Sequence, residues 1–460
     1  MKALICALVL CSSAVALTQQ TAPMSPEERM SEIRQLRSEL ERISERLNVL
    51  ERDGSASASA APLPPAPPSP PPAAAPAVPP VAKANLPGAS SKEDQTMLKF
   101  FHGTTLNFGM DGYYAYNFNQ PPGRVNQLRA YDVSSNSFSI NQANVIVERL
   151  PIASPGERFG GRIDLQFGQA TETLQGSSAN ELRPQVWRNL FQAYGSYLAP
   201  VGTGLQLDFG KWASALGVEG NYTKDQINYS RGYLFNYLPY YHMGLRANYN
   251  ITPRISMAYW LVNGAQQTED FNGFKSQAVI FTLKPASTIT WNINYYFGQE
   301  QPDSVLSPVG LPTKSISPAP NGREHIFDTY ATWNVTPHLT LVGEADLVLN
   351  RVFSTSQPKR VAAGALYVKY ALPHNYNIAA RSEYLDDRGG LFSGTTQALD
   401  ELTLTFDRQI EPGFLLFAEY RRDGSNQPFF LNNTLSSRSH AQPTATIGLV
   451  FWWGQKQGSW

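Results

Sequence analysis

The segment from Ser287 to Glu300, STITWNINYYFGQE, alternates apolar and polar residues with a period of two. Successive side chains of a β-strand point to opposite faces of the sheet, so the pattern predicts a strand with two different faces. One face is apolar and aromatic, with Ile289, Trp291, Ile293, Tyr295 and Phe297. The other carries Thr290, Asn292, Asn294 and Tyr296. Such a strand separates an apolar medium from a watery one.

The same alternation recurs from about residue 98 to residue 453, in segments such as RIDLQF, LQLDF, LTLVGEADLVLN and ATIGLVFWW. In several of these segments, charged or amide side chains lie on the face opposite the apolar residues. The residues that we place on this polar face are Arg162, Asp164, Arg246, Asn292, Asn294, Glu344, Asp346, Arg381, Glu383, Glu401 and Glu419.

Short turns alternate with long polar loops along this region. Seven segments have the Pro- and Gly-containing composition of tight turns. They are PIASPGE, APVGTG, NITPR, KPAST, NVTPH, LPHNY and IEPGF. Longer polar segments lie between them, around residues 169–185, 217–239, 299–322 and 422–441. Seven turns that each join two strands, with one further strand at each end, give 16 strands.

A soluble β-sandwich also has an apolar face, but it gives no reason to place the short turns at one end and the long loops at the other. Outer-membrane barrels have this asymmetry, with short periplasmic turns and long outer loops. Unpaired backbone groups are too costly in lipid, so the strands must close. We therefore predict an all-β transmembrane barrel of about 16 antiparallel strands at residues 98–460, with the polar face lining its lumen.

The first 97 residues have a different composition. Residues 1–16 predict a secretory signal peptide cut after Ala16, with a lipoprotein cut before Cys11 as the alternative. In residues 17–52, Ile and Leu recur at alternating intervals of three and four, which predicts a short α-helical coiled coil, or a single amphipathic helix that lies on another surface. Residues 53–97 predict a Pro/Ala-rich linker.

Composition narrows the chemistry. The chain has 37 Lys+Arg and 37 Asp+Glu, and this balance argues against a nucleic-acid partner. Both cysteines lie in the predicted signal peptide. The six histidines show no metal-ligand spacing, and no nucleophile motif is present. We expect no catalytic residue, no metal site and no cofactor, and therefore a protein that is not an enzyme.

One long loop has an unusual composition. The stretch NYSRGYLFNYLPYYH, residues 228–242, is aromatic and interrupted by proline. It predicts either a loop that folds into the lumen as a constriction or a loop that packs at the rim. In the first case Tyr229, Ser230 and Arg231 form the constriction, and Arg231 is the charge that meets the solute.

Several features of residues 207–264 occur together: Gly210-Lys211, Gly217 with Glu219, Tyr229-Ser230-Arg231, Pro239 with His242 and Gly244, and Asn263-Gly264. In these features the chain resembles the Putative β-barrel porin-2 (OmpL-like) family of bacterial outer-membrane proteins. The resemblance covers the barrel from about residue 98 and implies a porin-like barrel, but it assigns no solute and no binding residues. Such barrels commonly end on an aromatic residue, and either Trp453 or Trp460 fits that position here.

We therefore expect an outer-membrane porin through which small hydrophilic solutes diffuse passively. The alternative is an envelope-structural protein whose N-terminal arm tethers the barrel to a periplasmic layer or partner. The expected partners are outer-membrane lipid, the barrel assembly machinery and further copies of the chain. We expect these copies to form a homo-oligomer, with a trimer among the options, through the coiled coil or the barrel wall. The coiled coil and linker would lie in the periplasm.

Overall fold

The computed structural model describes residues 103–175, 181–306, 312–456 and 458–460. The predicted signal peptide, coiled coil and linker lie outside the described residues. Among the residues that are described, no helix is long and apolar enough to cross a membrane.

Sixteen antiparallel strands of the described region close into one barrel, which confirms the predicted architecture. In order around the barrel they are β1 (Thr104–Asn117), β2 (Phe138–Arg149), β3 (Phe159–Phe167), β4 (Leu190–Ala199), β5 (Leu205–Ala213), β6 (Tyr241–Thr252), β7 (Ile255–Val262), β8 (Ser276–Ala286), β9 (Ile289–Gly298), β12 (Glu324–Asn334), β13 (Leu339–Asn350), β14 (Lys359–Leu372), β15 (Tyr376–Arg388), β16 (Gln397–Glu411), β17 (Phe414–Ser425) and β20 (Ala441–Gly454). The pairing of β20 with β1 closes the sheet.

The remaining elements are short and lie in the connections. Two small sheets pair β10 (Ser304–Leu306) with β11 (Pro312–Ser315), and β18 (Phe430–Leu431) with β19 (Arg438–Ser439). The α-helices are α1 (Ala170–Gln175), α2 (Pro184–Trp187) and α3 (Tyr233–Tyr237). Single 3-10 turns occur at Pro122–Arg124, Thr223–Asp225 and Pro373–Asn375.

Seven connections, of two to nine residues, lie at one end of the barrel. They are residues 150–158, 200–204, 253–254, 287–288, 335–338, 373–375 and 412–413, and each coincides with one of the seven predicted turns. At the turn of residues 412–413, proline is followed by Gly413 at a φ of 89°, a backbone conformation that favours glycine. The connections at the opposite end have eight residues or more, and the longest of these, residues 214–240, joins β5 to β6.

The two faces of the wall differ as the alternation predicted. On β9, Trp291 and Ile293 are about 40% exposed on the outside, whereas Asn294 and Tyr296 are buried inside. Outward aromatic residues such as Trp333 lie near the strand ends, as in the interfacial girdles of membrane barrels. The outer face therefore suits lipid, and the inner face holds the polar groups.

The C-terminal strand is longer than the predicted Ala445–Trp453, because β20 begins at Ala441 and ends at Gly454. Trp453 stacks on Phe108 of β1, with ring centroids 5.5 Å apart, so Trp453 is the aromatic residue that closes the last strand. Trp460 instead lies on the inner side of the wall, where its ring centroid is 5.6 Å from that of Tyr222. Its backbone N–H donates to the Asp225 carboxylate at 3.1 Å.

Candidate functional site

The connection of residues 214–240, which we call the inner loop, folds into the barrel. Its central residues Tyr229, Ser230 and Arg231 are 2%, 0% and 0% exposed. The partners of the loop are side chains of the inner wall on both sides of the barrel, from β1 to β4 and from β12 to β17. The structure thus places Tyr229, Ser230 and Arg231 inside the lumen rather than at the rim, and their role as a constriction stays a prediction.

Carboxylates of the barrel wall bind the backbone of the inner loop near its start, at residues 217–218, which we call its first limb. Asp328 on β12 accepts the N–H of Gly217 at 3.0 Å. Glu344 on β13 accepts the N–H of Val218 at 3.0 Å. A hydrogen bond to an ionised acceptor is stronger than a neutral one, so two adjacent bonds fix this limb against β12 and β13.

Two further carboxylates bind the backbone of residues 229–234, which we call the second limb of the inner loop. Glu419 on β17 accepts the N–H of Tyr229 at 2.8 Å and that of Ser230 at 3.1 Å. Glu383 on β15 accepts the N–H groups of Tyr233 and Leu234 at 2.6 and 3.0 Å, which are the first N–H groups of α3. The first N–H groups of a helix have no acceptor within the helix, and here the Glu383 carboxylate of the barrel wall is that acceptor.

Arginines of the same wall hold the loop by its carbonyl oxygens. Arg381 donates to the Ser230 carbonyl at 2.7 Å and also pairs with Glu219 of the loop at 2.6 Å and with Glu401 of β16 at 2.8 Å. Arg421 donates to the carbonyl oxygen of Arg231. Both the N–H groups and the carbonyl oxygens of the loop backbone therefore have charged side-chain partners on β15 to β17.

Arg231 does not meet open space, in contrast to the expectation from the sequence. Its guanidinium donates to the carbonyl oxygens of Gly220, Tyr229 and Asn221 at 2.8–2.9 Å. It also lies over the ring of Tyr131, 5.1 Å from the centroid. A long side chain with five donors can satisfy several carbonyl oxygens at once, so Arg231 stabilises the fold of the loop itself.

The loop also contacts the wall of β1 and β3, beyond the pairing of β20 with β1 that closes the barrel. The Tyr229 hydroxyl donates to Asp111 of β1 at 2.5 Å. Burial, with the nearby Asp111 charge, raises the pKa of Tyr229 well above its usual value, so the phenol stays protonated and acts as a donor. Tyr222 donates to Asp164 of β3, and Arg162 donates to the Tyr222 oxygen at 2.7 Å. The inner loop is therefore held from both sides of the lumen.

The predicted polar-face residues lie on barrel strands with their side chains buried or half-buried. Arg246 and Asn292 are half-buried, and the other nine are buried. Arg246 pairs with Asp208 at 2.8 Å, and the amide oxygen of Asn292 accepts a hydrogen bond from the Thr282 hydroxyl at 2.7 Å. The structure brings Glu344 and Asp346 together on β13, and Asp328 of β12 links them to Asn294 of β9. It also brings Arg381, Glu383, Glu401 and Glu419 together on β15 to β17.

Sequence reasoning missed much of the acidity of the wall. On the described barrel strands, buried acidic side chains number thirteen and buried basic ones four. The acidic ones are Asp111, Glu148, Asp164, Asp208, Asp328, Glu344, Asp346, Glu383, Asp387, Glu401, Asp407, Glu419 and Asp423, and the basic ones are Arg162, Lys211, Arg381 and Arg421. In the segment HIFDTY, Asp328 lies between two residues that point outward. The same period-two pattern could therefore have identified Asp328 as an inner-face residue.

A cavity of about 360 Å³ remains between the inner loop and the wall of β3 to β5. Polar side chains on its lining include Arg162, Gln192, Glu219 and Asp225, and Trp460 lies at its border. This polar space beside the loop, inside a closed barrel, is large enough to hold small hydrophilic molecules.

Comparison with known families agrees with this architecture. Residues 104–452 match the model of a family described as Putative beta-barrel porin-2, OmpL-like. The chain belongs to this family. Membership of the OmpL-like porin family supports an outer-membrane porin-type channel, and it does not favour the envelope-structural alternative. No curated protein matches the chain.

Solved barrels resemble this OmpL-like chain at low identity. OmpT of Vibrio cholerae in a trimer form is 9% identical, covers 76% of this chain and 99% of its own, and has a TM-score of 0.49. An anion-selective porin from Comamonas acidovorans is 8% identical, covers 76% of this chain and 99% of its own, and has a TM-score of 0.47. The outer-membrane channel DcaP of Acinetobacter baumannii is 10% identical, covers 76% of this chain and 97% of its own, and has a TM-score of 0.49.

Proposed function

We propose that this OmpL-like chain is a narrow porin through which small hydrophilic solutes diffuse, and that the inner loop sets the width of the channel. The observation that supports this proposal is the position of the loop inside the lumen, where Asp328, Glu344, Glu383 and Glu419 hold its backbone. A loop that four wall carboxylates bind in this way narrows the lumen, so solutes must pass through the space between the loop and the wall.

The charge of the wall supports a mild preference for cations. Acidic side chains outnumber basic ones on the described strands, thirteen to four. Many of the acids are paired, as Glu401 is with Arg381 and Asp423 with Arg421. Strong selectivity normally requires an unpaired ring of one sign, so we propose a preference that is weak and is screened by salt.

Swelling of proteoliposomes in uncharged sugars tests the channel function. Vesicles that contain the folded protein should swell rapidly in a monosaccharide and progressively more slowly in di-, tri- and tetrasaccharides, because the inner loop narrows the path. Vesicles with heat-unfolded protein serve as the control. If the folded protein gave no swelling in a monosaccharide above that control, the chain would not be a diffusion channel.

We further propose that the barrels associate through the outer wall as a homo-oligomer. The outward residues Ala380, Ala418 and Ala445 lie in a shallow apolar groove on the β14–β1 side of the barrel. Small residues let two walls approach closely within the membrane. Single cysteines at Ala418 of separate copies should therefore form a crosslinked dimer in membranes, whereas cysteines at Leu207, an exposed residue of β5, should not.

We place residues 17–97 in the periplasm. β1 begins and β20 ends at the end of the barrel that carries the short turns. In outer-membrane barrels this end faces the periplasm, so the N-terminal arm emerges there. We propose that the predicted coiled coil binds a second copy there, and that outer-membrane lipid and the assembly machinery are further partners of the barrel.

A further inference from the structure

Three acidic side chains meet on the inner wall of β12 and β13. Asp328 on β12 is directly opposite Asp346 on β13, and Glu344 lies two residues before Asp346 on the same face. One carboxylate oxygen from each of the three lies within 4.8 Å of the others. Like charges at directly opposite positions of a sheet repel each other, so this arrangement is relieved either by a bound cation or by protons that the carboxylates share.

No basic side chain compensates these charges within the part of the chain that the structure describes. None of the ion pairs there includes Asp328, Glu344 or Asp346. Arg381, a buried cation two strands away on β15, already pairs with Glu219 and Glu401. The three carboxylates thus differ from the paired acids elsewhere on the wall.

Buried oxygens without hydrogen-bond partners also lie at this place. Both carboxylate oxygens of Asp346, which is 6% exposed, lack a partner, and so does one oxygen of Asp328. Asn294 of β9, directly opposite Asp328, is 3% exposed. Its amide nitrogen donates to Asp328 at 2.7 Å, while its amide oxygen has no partner. Buried acceptors of this kind are costly unless a ligand satisfies them.

We propose that Asp328, Glu344, Asp346 and the amide oxygen of Asn294 bind one Ca²⁺ ion. Carboxylate and amide oxygens are the ligands that Ca²⁺ prefers, and it accepts the irregular geometry that side chains from three neighbouring strands provide. Mg²⁺ requires a near-ideal octahedron and retains its waters, so it suits this site less well. This proposal differs from the expectation of no metal site, because the ligands have no recognisable spacing along the sequence.

The site adjoins the inner loop. Asp328 and Glu344 each use one carboxylate oxygen to accept the N–H groups of Gly217 and Val218. A bound ion would therefore connect the first limb of the loop to β12 and β13. The proposal does not depend on the solute of the channel, and it stands even if the barrel conducts poorly.

Calorimetric titration of the refolded full-length protein with CaCl₂ at pH 7.5 tests the site. We expect one ion per chain with a dissociation constant of about 10⁻⁴–10⁻³ M, the range of extracellular calcium-binding modules. Asp346→Asn and Glu344→Gln should each weaken binding by about tenfold or more, because the affinity depends on the number of charged ligands. Asp407→Asn removes a buried wall aspartate of β16 outside the cluster and should bind like the wild type.

Heat-modifiable mobility on a gel shows whether each variant forms a folded barrel, and only folded samples are compared. Absence of saturable binding to the folded wild type would mean that the carboxylates share protons instead, and would overturn the proposal. Equal binding by the wild type, Asp346→Asn and Glu344→Gln would place the ion elsewhere and would overturn it as well. Loss of binding in Asp407→Asn to the same extent would also contradict it.

Discussion

The two faces of β9 can be tested with one substitution on each. Ile293 is the fifth of ten residues in β9 and points outward, with 38% of its surface exposed. Ten residues at about 3.4 Å each, tilted by about 40°, span roughly 25 Å, which is the height of the apolar band of a membrane barrel. Ile293 therefore lies near the middle of the bilayer, where an arginine is most costly.

Ile293→Arg should destabilise the barrel by about 2–4 kcal/mol, which changes the folding equilibrium roughly 30- to 700-fold. Asn292→Arg is the matched control at nearly the same depth, because Asn292 is the preceding residue and is half-buried on the inner face. This variant loses the hydrogen bond from Thr282 but keeps its charge in the watery lumen, so we expect a cost of about 1 kcal/mol.

Reversible unfolding by guanidinium in lipid vesicles gives both free energies of unfolding. The fraction of heat-modifiable barrel in membranes provides an independent check in cells. Equal destabilisation by the two variants, or a greater loss for Asn292→Arg, would show that the outer face of β9 does not contact lipid.

Three further predictions concern topology, selectivity and the N-terminal arm. In intact cells a cysteine at Asn272, in the long loop after β7, should react with an impermeant thiol reagent, and one at Thr336, in the short turn before β13, should not; labelling of both would contradict the orientation. Reversal potentials across a KCl gradient should show a mild cation preference that decreases between about 0.1 and 1 M salt, and strong anion selectivity would contradict the charge argument. Deletion of residues 17–91 should leave unit conductance nearly unchanged and reduce oligomer stability or retention by the envelope, whereas a large change in conductance would mean that the arm occupies the channel.

The barrel itself was predictable from the sequence because lipid and water impose a strict period of two on each strand. Leu341 and Glu344 differ in parity, and the structure places the first on the outer face and the second on the inner face. Proline and glycine located the turns, because few other residues suit those backbone conformations. Local patterns were sufficient for these features.

Contacts between neighbouring strands and contacts of the inner loop were not predictable, because the first depend on register and the second on the path of a long loop. Asp328 and Asp346 are opposite each other only through the pairing of β12 with β13. Arg231 was expected to meet solute, yet the loop folds so that its own carbonyl oxygens surround the guanidinium. A charged residue in a loop does not reveal whether its partner is a solute or the loop itself.

Single-channel recording in planar bilayers tests the central claim, that this barrel conducts through a path narrowed by the inner loop. The wild type should give discrete conductance steps. Glu383→Ala combined with Glu419→Ala removes the acceptors of four loop N–H groups and should give larger or strongly fluctuating steps. Asp407→Ala, a wall aspartate whose partners are Asn377 and Lys369 rather than the loop, should match the wild type. Absence of steps from the folded wild type, or identical steps from the double variant, would contradict the account.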